Sequence, residues 1–325
     1  MDRRSFLRNS AAAGALLAMG LQGAVAQDVY PNKPVRVIVP YSAGGGADTL
    51  CRLLFGKLAE ELGQQFIVDN RGGGAGTIGA LVVAKAPADG YTILYDATAF
   101  SVNPSLFPRL AYNPRKDFQP VFQAGVMPLL LLVNPTVKAN NAADVIAIGK
   151  ATPGGLDWAS AGNGSIQHLA LALFSKMSKI EVSHVPFKGG APALNDVVAG
   201  HVKYYFSNTA AASSHVKAGS VRAVAHTGQG RLANFPALAP VSDTLPGFEA
   251  YEWNGVFVPK GTPKAIVDRL NAGLNKVIKD PGIAERLAAL SIQTKQNTPA
   301  EFDAFVGAEI EKWGKVVKEA NIKLD

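Results

Sequence analysis

The chain has 325 residues, of which 48% are hydrophobic and 18% charged, and its formal net charge is +7. Because the basic residues are scattered, the sequence offers no footprint for nucleic acid, although a modest positive field would attract anionic solutes. The single cysteine, Cys51, excludes an internal disulfide and is typical of a small buried hydrophobe. After the N-terminal segment, no stretch is apolar for the roughly 20 residues that cross a bilayer.

The N-terminal segment has the features of an export signal. Arg3 and Arg4 form a twin-arginine pair, and an apolar segment rich in alanine and leucine follows at residues 11–21. Small residues at 24–26 predict cleavage after Ala26. The sequence therefore predicts an exported, periplasmic protein, and the arginine pair favours the export route for folded proteins.

The first predicted strand, residues 35–39, leads into a glycine turn at 42–46 (SAGGG), and a predicted helix at 48–63 follows it. Such a turn exposes backbone N–H groups, which a helix N-terminus backs with partial positive charge, so it suits an anion. The Ser42 hydroxyl is a further candidate donor, and Asp48 is placed to cap the helix or orient the turn. The pattern recurs at 160–164 (SAGNG), before another predicted helix.

The rest of the chain alternates short apolar strands with helical patterns. In the first half, strands are predicted at 66–68 and 92–95 and a helix at 77–86. A mostly strand-like run at 121–133, interrupted by Gly125 and Pro128, is a candidate crossover. The second half predicts helices at 141–151, 166–178 and 192–200, and strands at 158–159, 182–185, 204–206 and 221–227. A returning strand at 251–258 and amphipathic helices at 262–280 and 299–320 complete the chain.

Two basic-Gly-Gly turns, at 71–73 and 188–190, follow the two SAGxG turns at nearly equal spacing. This matched register predicts two similar lobes that face a shared space. Strands alternating with helices predict an α/β fold with a mainly parallel sheet in each lobe. We expect residues 27–125 and 250–325 to form the first lobe and 126–249 the second, with hinges near 121–130 and 248–253.

Five segments together resemble the periplasmic solute receptors of tripartite tricarboxylate transporters, the Bug or TctC family. These segments are 40–48, 68–76, 88–92, 160–169 and 184–193. The resemblance covers essentially the whole chain after the signal. It implies a two-lobed, type II-like periplasmic binding protein that closes by hinge motion on a small carboxylate, such as a di- or tricarboxylate or an aromatic acid. It also implies delivery to membrane subunits of the transporter, and no cofactor; a monomer is expected.

The resemblance further implies a carboxylate held between the two opposed turns by amides and hydroxyls. The expected contacts from the first lobe are Tyr41, Ser42, Gly45, Gly46, Asp48 and Thr77. Those expected from the second lobe are Ser160, Gly162, Gly164, Ser165 and His168. Ser42 and Ser165, with the amides around Gly45, Gly46 and Gly164, are predicted to hold one carboxylate.

The sequence departs from the family pattern at two positions. Ser207 stands near the expected cleft where members often have an acidic residue, and Ala172 stands where they often have glutamate. A neutral Ser207 suits a ligand with a second acidic or neutral polar group. It weakens the case for an amino-acid ligand, whose ammonium would want an acidic partner.

Two alternatives of other classes stay open at this point. Gly74, Gly76 and Gly79 fit G-x-G-x-x-G, and Asp96 lies near the position of a ribose-binding acid, so an exported dinucleotide-binding oxidoreductase is conceivable. Against it, five residues separate the glycines from the preceding strand. An enzyme finds little support, because no Gly-x-Ser-x-Gly elbow and no metal-binding histidine pair are present. We therefore predict no catalytic residues and no metal site.

Overall fold

The computed structural model describes residues 30–319. The strands are β1 (Val35–Val39), β2 (Phe66–Asn70), β3 (Thr92–Ala97), β4 (Phe118–Val133), β5 (Leu156–Ser160), β6 (Val182–Pro186), β7 (Tyr204–Asn208), β8 (Arg222–His226) and β9 (Tyr251–Pro259). The helices are α1 (Gly46–Leu62), α2 (Thr77–Ala84), α3 (Ala99–Leu106), α4 (Ala142–Ala151), α5 (Ile166–Ser178), α6 (Gly190–Ala199), α7 (Thr209–Lys217), α8 (Lys264–Val277), α9 (Pro281–Ala289) and α10 (Pro299–Glu319). None of these helices is long and apolar enough to cross a membrane.

The strands join in the order β2-β1-β3-β9-β4-β7-β5-β6, and β8 also pairs with β4. Strands β1, β2 and β3 are mutually parallel, as are β5, β6 and β7, whereas β9 is antiparallel to both of its neighbours. This is the predicted α/β architecture, with a parallel group of strands in each half and helices packed against them.

The two halves are joined by β4, which is one continuous strand rather than the interrupted run that the sequence predicted. Its residues up to Pro128 pair with β9, and from Leu129 onward it lies between β7 and β8. Its pairing with β9 is irregular between Pro120 and Phe122 and between Gln123 and Gly125. These irregularities accommodate a proline and a glycine, which disfavour a regular ladder. The crossover strand therefore changes partners at 128–129.

Each half has its own apolar core. In the half built on β1, Ile38, Leu94 and Phe257 pack with Phe302 of α10. In the half built on β5, Trp158 packs against Phe174, Tyr204 and Phe206 at ring-centroid distances of 5.2–5.4 Å. The start of the last helix thus folds back on the first half, as its apolar stripe indicated, while its later residues Trp313 and Val317 join the core that contains Trp158.

Sequence reasoning missed α9, which the Asp280 side chain caps at the amides of Gly282 and Ile283, and it missed two further helices. Asn103-Pro104 is typical of a turn, yet α3 includes this proline, because its apolar residues Phe100, Val102 and Leu106 are buried. Helix α7, which follows β7 directly, begins where the Asn208 side chain accepts a hydrogen bond from the Ala211 amide at 3.0 Å. In both cases tertiary burial outweighs a local pattern that is weak or interrupted.

Candidate functional site

Five helices begin at one small cavity between the two halves of the sheet. Helices α1, α3, α5, α6 and α7 reach its wall through Gly46, Ala99, Ile166, Gly190 and Asn208. The first N–H groups of a helix have no partner within that helix, and the helix dipole adds partial positive charge there. The cavity wall is therefore rich in backbone donors.

No lysine, arginine or histidine of the described chain, residues 30–319, lines this cavity. Its free volume is about 30 Å³, which is on the order of one or two water molecules. A ligand of several heavy atoms therefore requires the walls to move apart. A more open groove of about 320 Å³ shares Tyr41 and Ala161 with the cavity, and its lining also includes Gly74, Gly162 and Lys188.

The first glycine turn is organised by Asp48, which is 3% exposed. Its carboxylate accepts hydrogen bonds from the Gly44 amide at 2.9 Å, from the Arg52 guanidinium at 3.0 Å and from the Asn70 amide at 2.9 Å. Burial works against the charged form, but these bonds together outweigh it and lower the pKa of Asp48. Asp48 thus holds the turn in shape and lies behind it.

The first turn touches the second half of the protein at two glycines. A Cβ at Gly46 would lie 2.1 Å from Oδ1 of Asn208, and a Cβ at Gly189 would lie 2.4 Å from Oγ of Ser42. These separations are far shorter than any real Cβ contact. Glycine is therefore required at both positions for the two halves to come this close.

The second turn, 160–165, is held by bonds within its own half. The Ser160 hydroxyl accepts a hydrogen bond from the Gly162 amide at 3.0 Å and shares a hydrogen bond with Nε2 of His184 at 2.6 Å. The Ser165 hydroxyl donates to the Gly162 carbonyl at 2.6 Å and caps α5 by accepting from the His168 amide at 3.3 Å. Both hydroxyl groups are committed to shaping the turn.

His168 also supports this turn. Its Nδ1 accepts a hydrogen bond from the Gly164 amide at 3.2 Å, which leaves that nitrogen unprotonated. Its ring stacks on the His184 ring, with a centroid distance of 4.0 Å and an interplanar angle of 2°. His168 was predicted as a ligand contact, but it packs beneath the turn, and the Gly164 amide points at it.

Of the predicted contact residues, four line the cavity and eight do not. The four that line it are Tyr41, Gly45, Gly46 and Ser165. The remaining eight are Ser42, Asp48, Thr77, Ser160, Gly162, Gly164, His168 and Ser207. Thr77 donates its hydroxyl to the Gly74 carbonyl at 2.7 Å, and Ser207 is fully buried. Because side chains alternate along a strand, the next residue after Ser207, Asn208, is the one at the cavity.

Sequence reasoning missed the one carboxylate at this cavity, Glu252 of β9. This side chain is 3% exposed and accepts hydrogen bonds from the side-chain amides of Gln167 at 2.8 Å, Asn208 at 3.0 Å and Asn254 at 3.1 Å. Burial raises the pKa of Glu252, and the three amide donors act in the opposite direction. The available signal was an acidic residue at the start of an otherwise apolar predicted strand.

A second buried acid stands behind Tyr41. The Tyr41 hydroxyl donates to Oδ1 of Asp96 at 2.7 Å, and the Ala97 amide donates to the same oxygen at 2.7 Å. Burial raises the pKa of Asp96 to about 7, although these two bonds oppose the shift. Asp96 is 1% exposed, so it is not placed to bind a ribose, as the dinucleotide alternative required. Nor does the described part of the chain contain a cluster of side chains that could hold a metal ion.

Two lobes, a crossover strand and a cavity lined by helix N-termini define the class: a two-lobed solute-binding protein. The family follows from comparison with known proteins. A family model described as the tripartite tricarboxylate transporter family receptor matches residues 50–322. The chain belongs to this family, whose members are solute-binding receptors rather than enzymes, and the predicted resemblance is confirmed.

The relatives support the assignment. A UPF0065 protein from the tcbD-tcbE intergenic region of Pseudomonas sp. strain P51 is 38% identical, over 98% of this chain and 96% of its own. The periplasmic binding protein BugD superposes with a TM-score of 0.88, at 31% identity, over 91% of this chain and all of its own. Two Rhodopseudomonas palustris proteins also match over their whole length. One, with adipate, has a TM-score of 0.88, 33% identity and 91% coverage of this chain. The other, MatC with bound malate, has a TM-score of 0.84, 32% identity and 89% coverage of this chain.

Proposed function

We propose that this protein is an exported receptor that captures a small organic carboxylate in the cavity between its lobes and delivers it to the membrane subunits of a tripartite tricarboxylate transporter. The observation that carries the proposal is the meeting of five helix N-termini at a cavity whose lining contains no basic side chain. Preorganised N–H groups and helix dipoles stabilise an anion without a counter-charge. The adipate and malate bound by relatives are anions of this kind.

The carboxylate-binding groups follow from the geometry of the cavity. The hydroxyl of Ser165 and the amide of Gly164 are engaged within their own turn. The better candidates are therefore the backbone amides at the first residues of three helices: Gly46 of α1, Ile166 of α5 and Gly190 of α6. Ser42 would act at the contact between the lobes instead. This changes the predicted roles of Ser42, Ser165 and Gly164, while the predicted location of the site between the two turns is retained.

Capture would require the lobes to part and close again, because the cavity of about 30 Å³ has room for little more than solvent. The long strand β4 and the return into β9 are the two connections that could bend. The Thr227 hydroxyl links them: it accepts a hydrogen bond from the Leu129 amide at 2.8 Å and donates to the Ala250 carbonyl at 2.5 Å. The proposed first lobe consists of residues 27–125 and 250–325, and the proposed second lobe of residues 126–249. The change of partners along β4 favours a boundary between the lobes near residue 128.

Binding is tested by isothermal titration calorimetry of the purified protein against di- and tricarboxylates, aromatic acids and acidic amino acids. The informative variant is Ala47→Asp, which places a carboxylate at the second residue of α1, in the cavity wall. We expect it to lower the affinity for every bound acid by about 100-fold or more, because like charges repel at close range.

The matched control is Ala300→Asp, which places the same side chain at the second residue of α10, at an exposed position away from the cavity. It should bind as the wild type does. Equal affinity in the two variants would contradict the site, and silence across the whole panel would contradict the function.

The location and assembly state are tested separately. Residues 1–26 lie outside the described residues, so the predicted twin-arginine signal and its cleavage after Ala26 stay predictions. Mass spectrometry of protein from the periplasmic fraction should give a chain that begins at Gln27. Sedimentation velocity should give a single species of monomer mass.

A further inference from the structure

The cavity is chemically two-sided. Most of its wall presents helix N-termini, but one point carries the carboxyl group of Glu252. An anionic ligand would be attracted by the first part and repelled by the second. Whatever part of the ligand lies against Glu252 must therefore differ from the part that the helix N-termini hold.

Burial raises the pKa of Glu252, but its hydrogen-bond partners favour the ionised form. One oxygen accepts from Asn254, and the other accepts from both Gln167 and Asn208. All three donors are neutral amides, and within residues 30–319 no basic side chain contributes to the charge balance of this carboxyl group. Donors on both oxygens suit a carboxylate, which accepts at about four positions and donates at none.

The amide donors leave room for one further hydrogen bond. Oε2 of Glu252 already accepts two hydrogen bonds, from Gln167 and Asn208, whereas Oε1 accepts one, from Asn254. Because each carboxylate oxygen can accept about two, Oε1 can accept one more. Among the described residues no cation pairs with this group. A ligand hydroxyl or ammonium would complete its hydrogen bonding, whereas a second ligand carboxylate would meet a like charge in a small, largely buried cavity.

We propose that Glu252 makes the cavity selective for carboxylates that carry a hydrogen-bond donor, a hydroxyl or an ammonium, beside the carboxylate. This inference rests on the proposed function. From the sequence, the neutral Ser207 weakened the case for an amino-acid ligand, because an ammonium group needs an acidic partner. In the structure Glu252 provides such a partner in the cavity wall. Selectivity arises both from the added bond and from the repulsion of competitors that lack a donor.

The test uses three four-carbon diacids that differ in one substituent: succinate, L-malate and L-aspartate carry hydrogen, hydroxyl and ammonium at the second carbon. Calorimetric titration of the wild-type protein should show L-malate, L-aspartate or both binding at least about tenfold more tightly than succinate. That is the size expected when one hydrogen bond to a charged group is gained. Which of the two binds best distinguishes hydroxyl from ammonium.

Glu252→Gln tests whether this residue causes the preference. It removes the negative charge and should bring the three affinities to within about threefold, mainly by improving succinate, because the repulsion has gone. Its unfolding temperature is measured first, since a glutamine must share the same amide donors. The comparison among ligands in the wild type stands whether or not this variant folds.

The outcomes separate the two proposals. Succinate binding to the wild type as tightly as both substituted acids overturns this inference and leaves the receptor function intact. A folded Glu252→Gln variant that keeps the wild-type preference also overturns it. Silence of all three acids and of the wider panel overturns the receptor function, and this inference with it.

Discussion

The contact between Gly46 and Asn208 offers a direct test of lobe closure. Gly46 begins α1 in the first half, and Asn208 ends β7 in the second. Substitution Gly46→Ala would place a methyl group 2.1–2.3 Å from three atoms of the Asn208 side chain. A flexible side chain could move aside, but Asn208 also caps α7 and donates a hydrogen bond to Glu252.

The expected cost follows from the bonds that Asn208 must give up. Loss of a helix cap costs about 1 kcal/mol, and loss of a hydrogen bond to a charged group costs about 1.5–3 kcal/mol. Since each 1.4 kcal/mol is tenfold in affinity, Gly46→Ala should weaken ligand binding by roughly 60- to 700-fold. If the contact forms only when the lobes close, the free protein should lose no stability.

Calorimetric titration with the preferred acid measures the first effect, and thermal unfolding without ligand measures the second. Gly56→Ala is the control, because it makes the same change in the same helix at an exposed position with no atom within 4 Å of the new methyl group. It should keep the affinity and raise helix stability by about 1 kcal/mol. Unchanged affinity in Gly46→Ala would refute the closure argument. A large loss of stability in its ligand-free form would show that the contact is permanent.

Two further predictions concern buried carboxylates. Because the pKa of Asp96 is raised from 3.8 to about 7, its contribution to folding stability is full below pH 4 and lost as the pH rises through 7. The difference in unfolding free energy between Asp96→Asn, which keeps the acceptor for Tyr41, and the wild type should therefore grow by up to about 4 kcal/mol from pH 4 to 7.5; a flat difference would contradict the raised pKa. Glu309 accepts hydrogen bonds from the indoles of Trp253 at 3.1 Å and Trp313 at 2.8 Å. Glu309→Leu should lower the free energy of unfolding in urea by about 2–4 kcal/mol, whereas Glu309→Gln, which keeps an acceptor, should lose less than half of that.

Much of the fold could be predicted from local patterns. Strand β1 was predicted with its observed bounds, and the strands that follow it differ mainly at their ends. The turns at 42–46 and 160–164 were correctly placed between a strand and a helix. These elements are predictable because apolar periodicity and glycine act over a few residues. Helices α3 and α7 were missed because distant packing stabilises them.

The site was predicted less completely, and for a different reason. Residue types indicated which groups could bind an anion, but many of those groups bond to one another instead. The hydroxyl of Ser165 goes to a carbonyl three residues earlier, and the amide of Gly164 goes to His168. Which donors remain available depends on side-chain rotamers and on the exact path of each turn. A sequence pattern specifies neither the rotamers nor the path of a turn.

By itself, the sequence determined the family, the α/β class and the pairing of two glycine turns, because these depend on local patterns and on segments that retain their order along the chain. Only the tertiary structure decided that five helices begin at one cavity and that Glu252 lies in its wall. Glu252 is more than 200 residues from Gly46 and more than 80 from Gln167. They meet because β9 returns between β3 and β4, an arrangement that depends on the order of strands across the sheet.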